Sequence, residues 1–184
     1  KNITKYINAS GSVSLSISEI DNGISDNCGI ASTTLSPKTF DCSNLGANTV
    51  TVTATDLKGN QSTQTCTVTV LDTTSPNLST QSTSIYLNAG GIANLVASAL
   101  NKSSSDNCGI NAFSASKTSF NCANLGQNTV SLTATDNSGN STTLNETVNV
   151  LDTILPVLRY QNLVLFLNSS GSISLTPAEV DNSS

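Results

Sequence analysis

The chain has 184 residues, of which 10% are charged and 36% are hydrophobic, and it contains no histidine, methionine or tryptophan. Its formal net charge of −5 argues against nucleic acid and anionic lipid as partners, because both require a basic face. Without histidine, Ser-His-Asp and Cys-His catalytic arrangements and Cys/His zinc sites are excluded, and no apolar run is long enough to span a membrane. We therefore expect a protein that is not an enzyme, with neither nucleic acid nor membrane insertion involved.

The predicted elements, in chain order, are short β-strands separated by turns. Val13–Ile17, Val50–Thr55 and Cys66–Val70 each alternate apolar and polar residues with the period of a strand. Asp56–Asn60 has the composition of a hairpin turn, and Pro76–Ser79 is the expected first strand of a following unit. No segment shows a sustained helical period. About seven short strands in each eighty residues predicts an all-β, immunoglobulin-like β-sandwich.

The whole pattern recurs after eighty residues without a gap. Asp-Asn-Cys-Gly-Ile at Asp26–Ile30 returns at Asp106–Ile110, and a third copy begins after Pro156. A fixed period of this length predicts tandem units stacked into an elongated rod. We expect the chain to be part of a longer polypeptide and to divide into a sandwich lacking its first strand (residues 1–71), a complete sandwich (72–151) and the start of a third (152–184).

Four of the five cysteines take part in the repeat. Cys28 and Cys42 recur as Cys108 and Cys122, fourteen residues apart both times, whereas Cys66 does not recur. The simplest pairing is Cys28–Cys42 and Cys108–Cys122, with Cys66 left as a free thiol. Each closed loop would stabilise its unit by roughly 3 kcal/mol in the chain-entropy model. The alternative is a set of reduced thiols in a reducing compartment.

The repeated motifs resemble those of a known class of domain. The order Asp-Thr-x-x-Pro, Asp-Asn-Cys-Gly-Ile, Cys-x-Asn-Leu-Gly-x-Asn-Thr-Val and Thr-Ala-Thr-Asp-x-x-Gly-Asn is similar to hyalin-repeat-type domains. It resembles more closely the tandem repeats of very large Bacteroidota surface adhesins, including gliding-motility adhesins of the SprB type. The resemblance implies export, often through the type IX system, an extracellular or cell-surface location, and a role as an extended stalk or adhesive filament.

The same resemblance implies a modification at the linkers between units. Thr73 and Thr153 each follow an aspartate in the context in which Bacteroidota O-glycosylate threonine. The alternative is that the two positions are plain linkers, in which Asp and Thr serve as turn formers.

Oxygen-bearing side chains are predicted to gather at one end of the second unit. In an immunoglobulin-like sandwich the linker into the unit, the B–C loop and the F–G loop lie at the same end, and here they carry Asp72, Asn101, Asp106, Asn107 and Asp136. Ca²⁺ is bound by six to eight carboxylate, amide and carbonyl oxygens. These residues therefore predict a calcium site at the junction of two units. The alternative is that they cap turns through hydrogen bonds to the backbone.

Two classes of function remain open. The first is a non-catalytic stalk or filament of a secreted cell-surface adhesin, since proline in each linker favours extended joints. Its partners would be the neighbouring units, and surface polysaccharide or another adhesion target. The second is a carbohydrate-binding or spacer array of a secreted hydrolase, which would need exposed aromatic rings. Tyr6, Tyr86 and Phe166 recur at one strand position, which favours a packing role for them instead.

Overall fold

The structure is a computed structural model and describes residues 2–181. It confirms the predicted all-β class, with two immunoglobulin-like β-sandwiches in tandem. Each sandwich has six strands that occur in the same order. The strands of the first unit are β1 (Ile3–Tyr6), β2 (Ser12–Ser14), β3 (Ile30–Ser36), β4 (Thr39–Asp41), β5 (Gly46–Asp56) and β6 (Gln61–Leu71). Those of the second unit are β7 (Thr83–Tyr86), β8 (Ile92–Asn94), β9 (Ile110–Ala115), β10 (Ser119–Asn121), β11 (Gly126–Asp136) and β12 (Ser141–Leu151).

Each unit consists of a four-stranded sheet facing a two-stranded one. In the first unit the orders are β1-β6-β5-β3 and β2-β4, and in the second they are β7-β12-β11-β9 and β10-β8. The long strands β5 and β6 form an antiparallel hairpin, and β1 runs parallel to β6 so that Tyr6 lies beside Leu71. This pairing places the end of β1, the turn that follows it and the exit from β6 together at one end of the unit.

The core of each unit comes from the period-two alternation of its strands. In β11, Val130, Leu132 and Ala134 are fully buried, whereas Ser131 and Thr133 between them are partly exposed on the outer face. β-branched threonine favours an extended backbone and keeps that face polar. Phe120, on β10 of the facing sheet, is 1% exposed and closes the core from the other side. The alternation continues to Asp136, whose side chain is therefore buried at the very end of the strand.

Short helices replace part of one predicted strand. The observed strand is Ser12–Ser14, so only the first two residues of the predicted strand Val13–Ile17 lie in it, and Ile17 begins the helix α1 (Ile17–Ile20). Glu19 accepts hydrogen bonds from the backbone N–H and the hydroxyl of Ser16 and so caps the first turn. Four residues are too few to show a helical period in a sequence. The remaining helices are a second α-helix, α2 (Pro177–Val180), and 3₁₀ turns at Cys42–Asn44, Ala97–Leu100 and Cys122–Asn124.

The predicted first strand of the second unit is extended but makes only isolated bridges. Asn77 pairs with Ser105, and Thr80 pairs with Asn101. Pro76 has no N–H to contribute to a ladder, which keeps this segment from becoming a regular strand. It nevertheless completes the core, because Leu78 between the two bridges is 7% exposed. The second unit therefore has six regular strands instead of the predicted seven, because this segment forms only isolated bridges.

Residues 152–181 correspond to residues 72–101 one repeat earlier and retain only part of their local structure. Tyr160 bridges to Asp181, as Thr80 does to Asn101 one unit earlier. Within this described segment no extended strand is formed. Leu158 is 84% exposed although its counterpart Leu78 is buried.

Candidate functional site at the junction of two units

A disulfide joins the two units. The Sγ atoms of Cys42 and Cys108 are bonded, and the Cα atoms of these residues are 5.3 Å apart although 66 residues separate them in sequence. Cys42 opens the 3₁₀ turn that follows β4, and Cys108 lies in the loop before β9 of the next unit. The bond therefore crosses the junction instead of closing a loop within one unit.

The predicted pairings Cys28–Cys42 and Cys108–Cys122 are wrong, and the topology gives the reason. Cys28 lies beside Ile30, which pairs with Asp56 at the end of β5, whereas Cys42 comes just before β5 begins at Gly46. Ten residue steps of a strand separate these two ends by about 33 Å. A disulfide needs Cα atoms within about 7 Å. The strands between the two cysteines do not bring them together either, because β3 and β4 lie in different sheets and form no hairpin with each other.

Three cysteines are not in disulfides. Cys28 and Cys122 are exposed, and Cys66 is buried among the core residues of the first unit. The two repeated cysteines of a unit thus lie at its opposite ends. The bond between the two units joins the second of these cysteines in the first unit, Cys42, to the first of them in the second unit, Cys108.

The backbone of the two units is in close contact beside the disulfide. Asn107 donates from Nδ2 to the carbonyl oxygen of Asn8, 3.2 Å away in the first unit. Gly11, in the same turn as Asn8, has φ +75°, and a Cβ atom there would lie 2.8 Å from the Asn107 carbonyl oxygen. Neither Asn8 nor Gly11 was predicted as a functional residue. The signal that could have found them is the recurrence of the same Asn and Gly as Asn88 and Gly91.

Three carboxylates meet at the same junction. Asp72 follows β6 in the linker, Asp106 precedes Cys108, and Asp136 ends β11; one ligating oxygen of each lies within 4.8 Å of the others. Asp72 is 6% exposed and Asp136 is 1% exposed. Within residues 2–181, no lysine or arginine forms an ion pair with any of the three. Burying like charges this close together is costly unless a cation or protons compensate them.

Some of the carboxylate oxygens in this cluster already accept hydrogen bonds from other groups of the protein. Asp72 Oδ1 accepts from the Thr74 N–H at 3.0 Å and from Asn107 Nδ2 at 3.1 Å. Asp136 accepts through both oxygens from Asn140, whose Nδ2 also reaches the Asp72 carbonyl oxygen. These bonds fix the carboxylates in place without neutralising them.

Three other oxygens at the junction are buried and have no hydrogen-bond partner within the described chain. They are Asp72 Oδ2, Asp106 Oδ2 and Asn107 Oδ1. Buried acceptors are nearly always paired, so three orphaned oxygens in adjoining residues indicate that a further group belongs between them. A cavity of about 250 Å³ lined by Asp106, Asn107 and Thr74 adjoins them. The donor set consists of hard oxygens, which suit Ca²⁺ or Mg²⁺ and not a thiol-seeking metal.

In the part of the chain that the structure describes, the remaining predicted site residues supply no oxygen to this cluster. Asn101 uses its side-chain oxygen to accept hydrogen bonds from the N–H and hydroxyl of Ser104, and within residues 2–181 it forms no hydrogen bond with the three aspartates. It therefore caps a turn, as the alternative interpretation expected. Thr73 and Thr153 are both exposed in the linkers.

The first unit carries loops equivalent to those that hold Asp106 and Asp136. Asp26 accepts from the Cys28 N–H, as Asp106 does from Cys108. Asp56 accepts from Asn60, and these hydrogen bonds hold the pKa of Asp56 below its ordinary value. Asp56 is only partly buried, in contrast to Asp136.

The recurring aromatic residues are on the surface. Tyr6 is 56% exposed, Tyr86 is 58% exposed and Phe166 is 81% exposed. The packing role predicted for Tyr6 and Tyr86 is wrong, because each ring occupies the last outward-facing position of an edge strand. For Phe166, whose segment forms no strand, the packing role stays a prediction.

Comparisons with known proteins find an adhesin among curated proteins and extracellular cadherin domains among solved structures. No family model matches the sequence. The serine-rich adhesin for platelets of Staphylococcus aureus is 31% identical over 150 residues, which is 77% of this chain and 6% of that protein. The chain thus spans a small fraction of the relative that it matches.

Among solved structures, the protocadherin gamma B4 extracellular domain has a TM-score of 0.37 at 16% identity, over 89% of this chain and 33% of its own. Four cadherin domains of protocadherin gamma B7 have a TM-score of 0.36 at 15% identity, and the match covers 88% of this chain and 53% of that one. An endo-fucoidan hydrolase of glycoside hydrolase family 107 has a TM-score of 0.27 at 12% identity, and the match covers 66% of this chain and 28% of that one. These similarities are too distant to inform function. Separately, no helix in the described residues is long and apolar enough to cross a membrane.

Proposed function

We propose that this chain is a non-catalytic stalk segment of a secreted cell-surface adhesin, in which consecutive units are locked end to end. The observation that carries the proposal is the Cys42–Cys108 bond across the junction. A bond in this place adds little to the closure of either sandwich, but it prevents the two units from bending apart. Disulfides persist in oxidising surroundings, which supports an extracellular location. The similarity to a serine-rich adhesin for platelets supports a surface role.

The proposal extends to what such a stalk does. It would hold an adhesive tip, or its own exposed surface, away from the cell and towards a polysaccharide or another target. Use in gliding motility, export by the type IX route and O-glycosylation at Thr73 and Thr153 belong to this proposal through the resemblance of the repeats. The exposure of both threonines is compatible with a glycan at each linker.

The stalk proposal is tested by the shape of the protein in solution. Small-angle X-ray scattering of the oxidised chain is expected to give one extended particle with a fixed angle between units. The Cys42→Ser/Cys108→Ser variant should show a broader distribution of shapes, while Cys28→Ser/Cys122→Ser should match the parent. Equal flexibility in all three proteins would contradict the proposal.

We also propose that Ca²⁺ occupies the junction cluster and completes the lock. Asp72, Asp106 and Asp136 would supply carboxylate oxygens, and Asn107 an amide oxygen, with backbone carbonyls or water filling the other positions. The cation would hold the linker, the loop before β9 and the end of β11 together. Mg²⁺ requires stricter octahedral geometry at shorter distances, so irregular oxygens from three separate segments favour Ca²⁺.

Thermal unfolding in Ca²⁺ and in chelator tests the cation proposal. At a hundred times its dissociation constant, one bound ion should stabilise the folded chain by about 2.7 kcal/mol. Asp106→Asn should lose this response, whereas Asp26→Asn, the equivalent change in the first unit, should retain it. Identical unfolding curves with and without Ca²⁺ would exclude a bound calcium ion. Equal stabilisation by Mg²⁺ would exclude selectivity for Ca²⁺.

Carbohydrate binding is a second candidate function, because the exposed rings Tyr6 and Tyr86 repeat once in each unit. Sugar faces stack on exposed aromatic rings, and one ring every eighty residues would suit a long polymer bound by many weak contacts. Affinity electrophoresis on polysaccharide gels tests this candidate. Retardation that is lost in Tyr6→Ala/Tyr86→Ala would support it, and unchanged migration of the parent on every polymer would exclude it.

A further inference from the structure

Three consecutive residues, Asp106, Asn107 and Cys108, connect the junction disulfide to the carboxylate cluster. Cys108 is bonded to Cys42, and its backbone N–H donates to Asp106 Oδ1 at 2.8 Å. The other oxygen of the same carboxylate, Asp106 Oδ2, is one of the three buried oxygens without a hydrogen-bond partner, and Asn107 Oδ1 is another. The position of Cys108 therefore sets the orientation of two candidate calcium ligands.

The third of these oxygens belongs to Asp72, which is 6% exposed and leaves the first unit at the end of β6. The Leu71 carbonyl just before it accepts a hydrogen bond from the turn after β1, so the first unit holds the start of the linker. Cys42, also in the first unit, has its Sγ 3.3 Å from the Asn107 carbonyl oxygen. The disulfide thus restrains Asp72 of the linker relative to Asp106 of the second unit.

This restraint is unfavourable when no cation is bound. One oxygen of each of the three aspartates lies within 4.8 Å of the others, and like charges at this distance repel one another in a buried site. Because the disulfide keeps the loop that carries Asp106 beside the linker, the repulsion acts against the bond. Cleavage of the bond lets the loop and the linker separate. A bound cation instead draws the same oxygens together.

We propose that Ca²⁺ binding and the Cys42–Cys108 disulfide are thermodynamically coupled. The cation protects the bond from reduction, and the bond raises the affinity for the cation by the same factor, because coupling between two sites is reciprocal. We expect a factor of about ten, within the range of known couplings between sites. The coupling rests on the calcium site proposed above and adds its regulation: loss of Ca²⁺ makes the lock between the units reducible.

Reduction of the bond follows ordinary thiol–disulfide exchange. Both cysteines are partly exposed, so a small dithiol such as dithiothreitol can reach them. One reductant thiolate attacks one protein sulfur, and the other cysteine leaves as a thiolate and takes up a proton. The second reductant thiol then attacks the mixed disulfide and releases the remaining cysteine. One dithiol and one protein disulfide give two protein thiols and one cyclic disulfide, and Ca²⁺ is neither oxidised nor reduced.

The first test is a redox titration of the full chain with Cys28→Ser/Cys122→Ser, which leaves the junction disulfide and the free thiol of Cys66. The chain is equilibrated at different ratios of reduced to oxidised dithiothreitol, in saturating Ca²⁺ and in chelator, and its thiols are trapped and counted by mass spectrometry. In Ca²⁺ the midpoint should need about a tenfold higher ratio, which is a potential about 30 mV lower. Equal midpoints in the two buffers would overturn the coupling.

Asp106→Asn in the same background is the matched control. Asparagine keeps an oxygen that can accept from the Cys108 N–H but removes a carboxylate from the cluster. The midpoint of this variant should be the same in Ca²⁺ and in chelator. A shift as large as that of the parent would show that Ca²⁺ acts elsewhere in the chain, and would overturn the assignment to this cluster.

The second test measures the converse effect by isothermal titration of Ca²⁺ into the oxidised and the reduced forms of the same chain. Cys42→Ser/Cys108→Ser, which can never form the bond, provides an independent open junction. The dissociation constant should be about tenfold higher for the reduced form and for this variant. Equal affinity for all three would overturn the coupling while the calcium site stands. No binding to the oxidised chain would overturn the calcium site and the coupling with it.

Discussion

Asn107 Nδ2 donates both to the carbonyl oxygen of Asn8 in the first unit and to Asp72 Oδ1 in the linker, at 3.2 and 3.1 Å. One amide group therefore ties together the first unit, the linker and the loop that carries Cys108. The disulfide, the carboxylate cluster and the close backbone contact at Gly11 are neighbours of this residue. Their proximity makes the junction the part of the chain where single substitutions should have effects on the whole array.

Replacing Gly11 with alanine should loosen the junction. The new Cβ would lie 2.8 Å from the Asn107 carbonyl oxygen, at a backbone φ of +75°. Gly59→Ala is the matched control, because Gly59 also has positive φ but has nothing within 4 Å of the added Cβ. We expect the control to cost about 1 kcal/mol from backbone strain and Gly11→Ala to cost about 1–2 kcal/mol more. Chemical denaturation measures both, and equal losses would show that the close contact is unimportant.

Asp72→Asn should change stability in opposite directions with and without Ca²⁺. Asparagine keeps the oxygen that accepts from Thr74 and Asn107 but removes one of three close negative charges. In chelator the loss of repulsion should stabilise the chain by about 1–3 kcal/mol, and in Ca²⁺ the loss of a ligand should destabilise it by a similar amount. Thermal unfolding in the two buffers gives the sign. A change of the same sign in both would contradict the assignment of Asp72 as a ligand.

Asn140→Ala should be more damaging than Asn60→Ala, although both residues follow the same hairpin turn. Each asparagine donates to the aspartate at the end of its strand, but only Asn140 also reaches the carbonyl oxygens of Asp72 and Thr74. The difference in unfolding free energy should be about 1–2 kcal/mol, the value of lost hydrogen bonds to the linker. Urea titrations of both variants measure it. If the two variants are equally stable, the linker is not held by Asn140.

The first unit should lose a small part of its stability in acid through Glu19. A hydrogen bond from Lys5 at 2.6 Å, together with one from the Ser16 backbone, lowers the pKa of Glu19 from 4.5 to about 2. Because the folded pKa is the lower one, the contribution is complete above about pH 4.5 and is lost as the pH falls towards 2. The side chain of Glu19 is 40% exposed, so the effect should stay below about 1 kcal/mol.

A double-mutant cycle with Lys5→Gln and Glu19→Gln measures this contribution. The coupling energy should be complete at pH 6 and largely lost at pH 2, where about half of Glu19 is protonated in the folded chain. A coupling that is unchanged between these pH values would show that the ion pair does not contribute.

The sequence was informative where a residue's role follows from strand alternation or from its position in a loop. The alternation in Val50–Thr55 and Cys66–Val70 lies within the long hairpin strands, and loop position alone predicted that Asp72, Asp106 and Asp136 would meet. The disulfide could not be predicted in this way. In a periodic sequence, a disulfide within a unit and a disulfide to the next unit would use the same recurring cysteines. The bond within a unit is excluded by the length of β5, which places the two cysteines at opposite ends of the unit.

Tyr6 and Tyr86 show the same limit, since recurrence in register is equally expected of a core position and of a surface position. Which one applies depends on the face of the strand that the sheet pairing turns outward. Gly11 was missed for a related reason: its constraint comes from the carbonyl of Asn107, 96 residues away in sequence, and no local pattern records that contact.

The most direct test of the interlocked junction is disulfide mapping of the unreduced 184-residue chain by proteolysis and mass spectrometry, with free thiols blocked before digestion. The structure predicts a linked pair of peptides containing Cys42 and Cys108, with Cys28, Cys66 and Cys122 carrying the blocking group in the monomer. A linkage between Cys28 and Cys42, or between Cys108 and Cys122, would contradict the account, because each unit would then be closed on itself and free to turn against its neighbour.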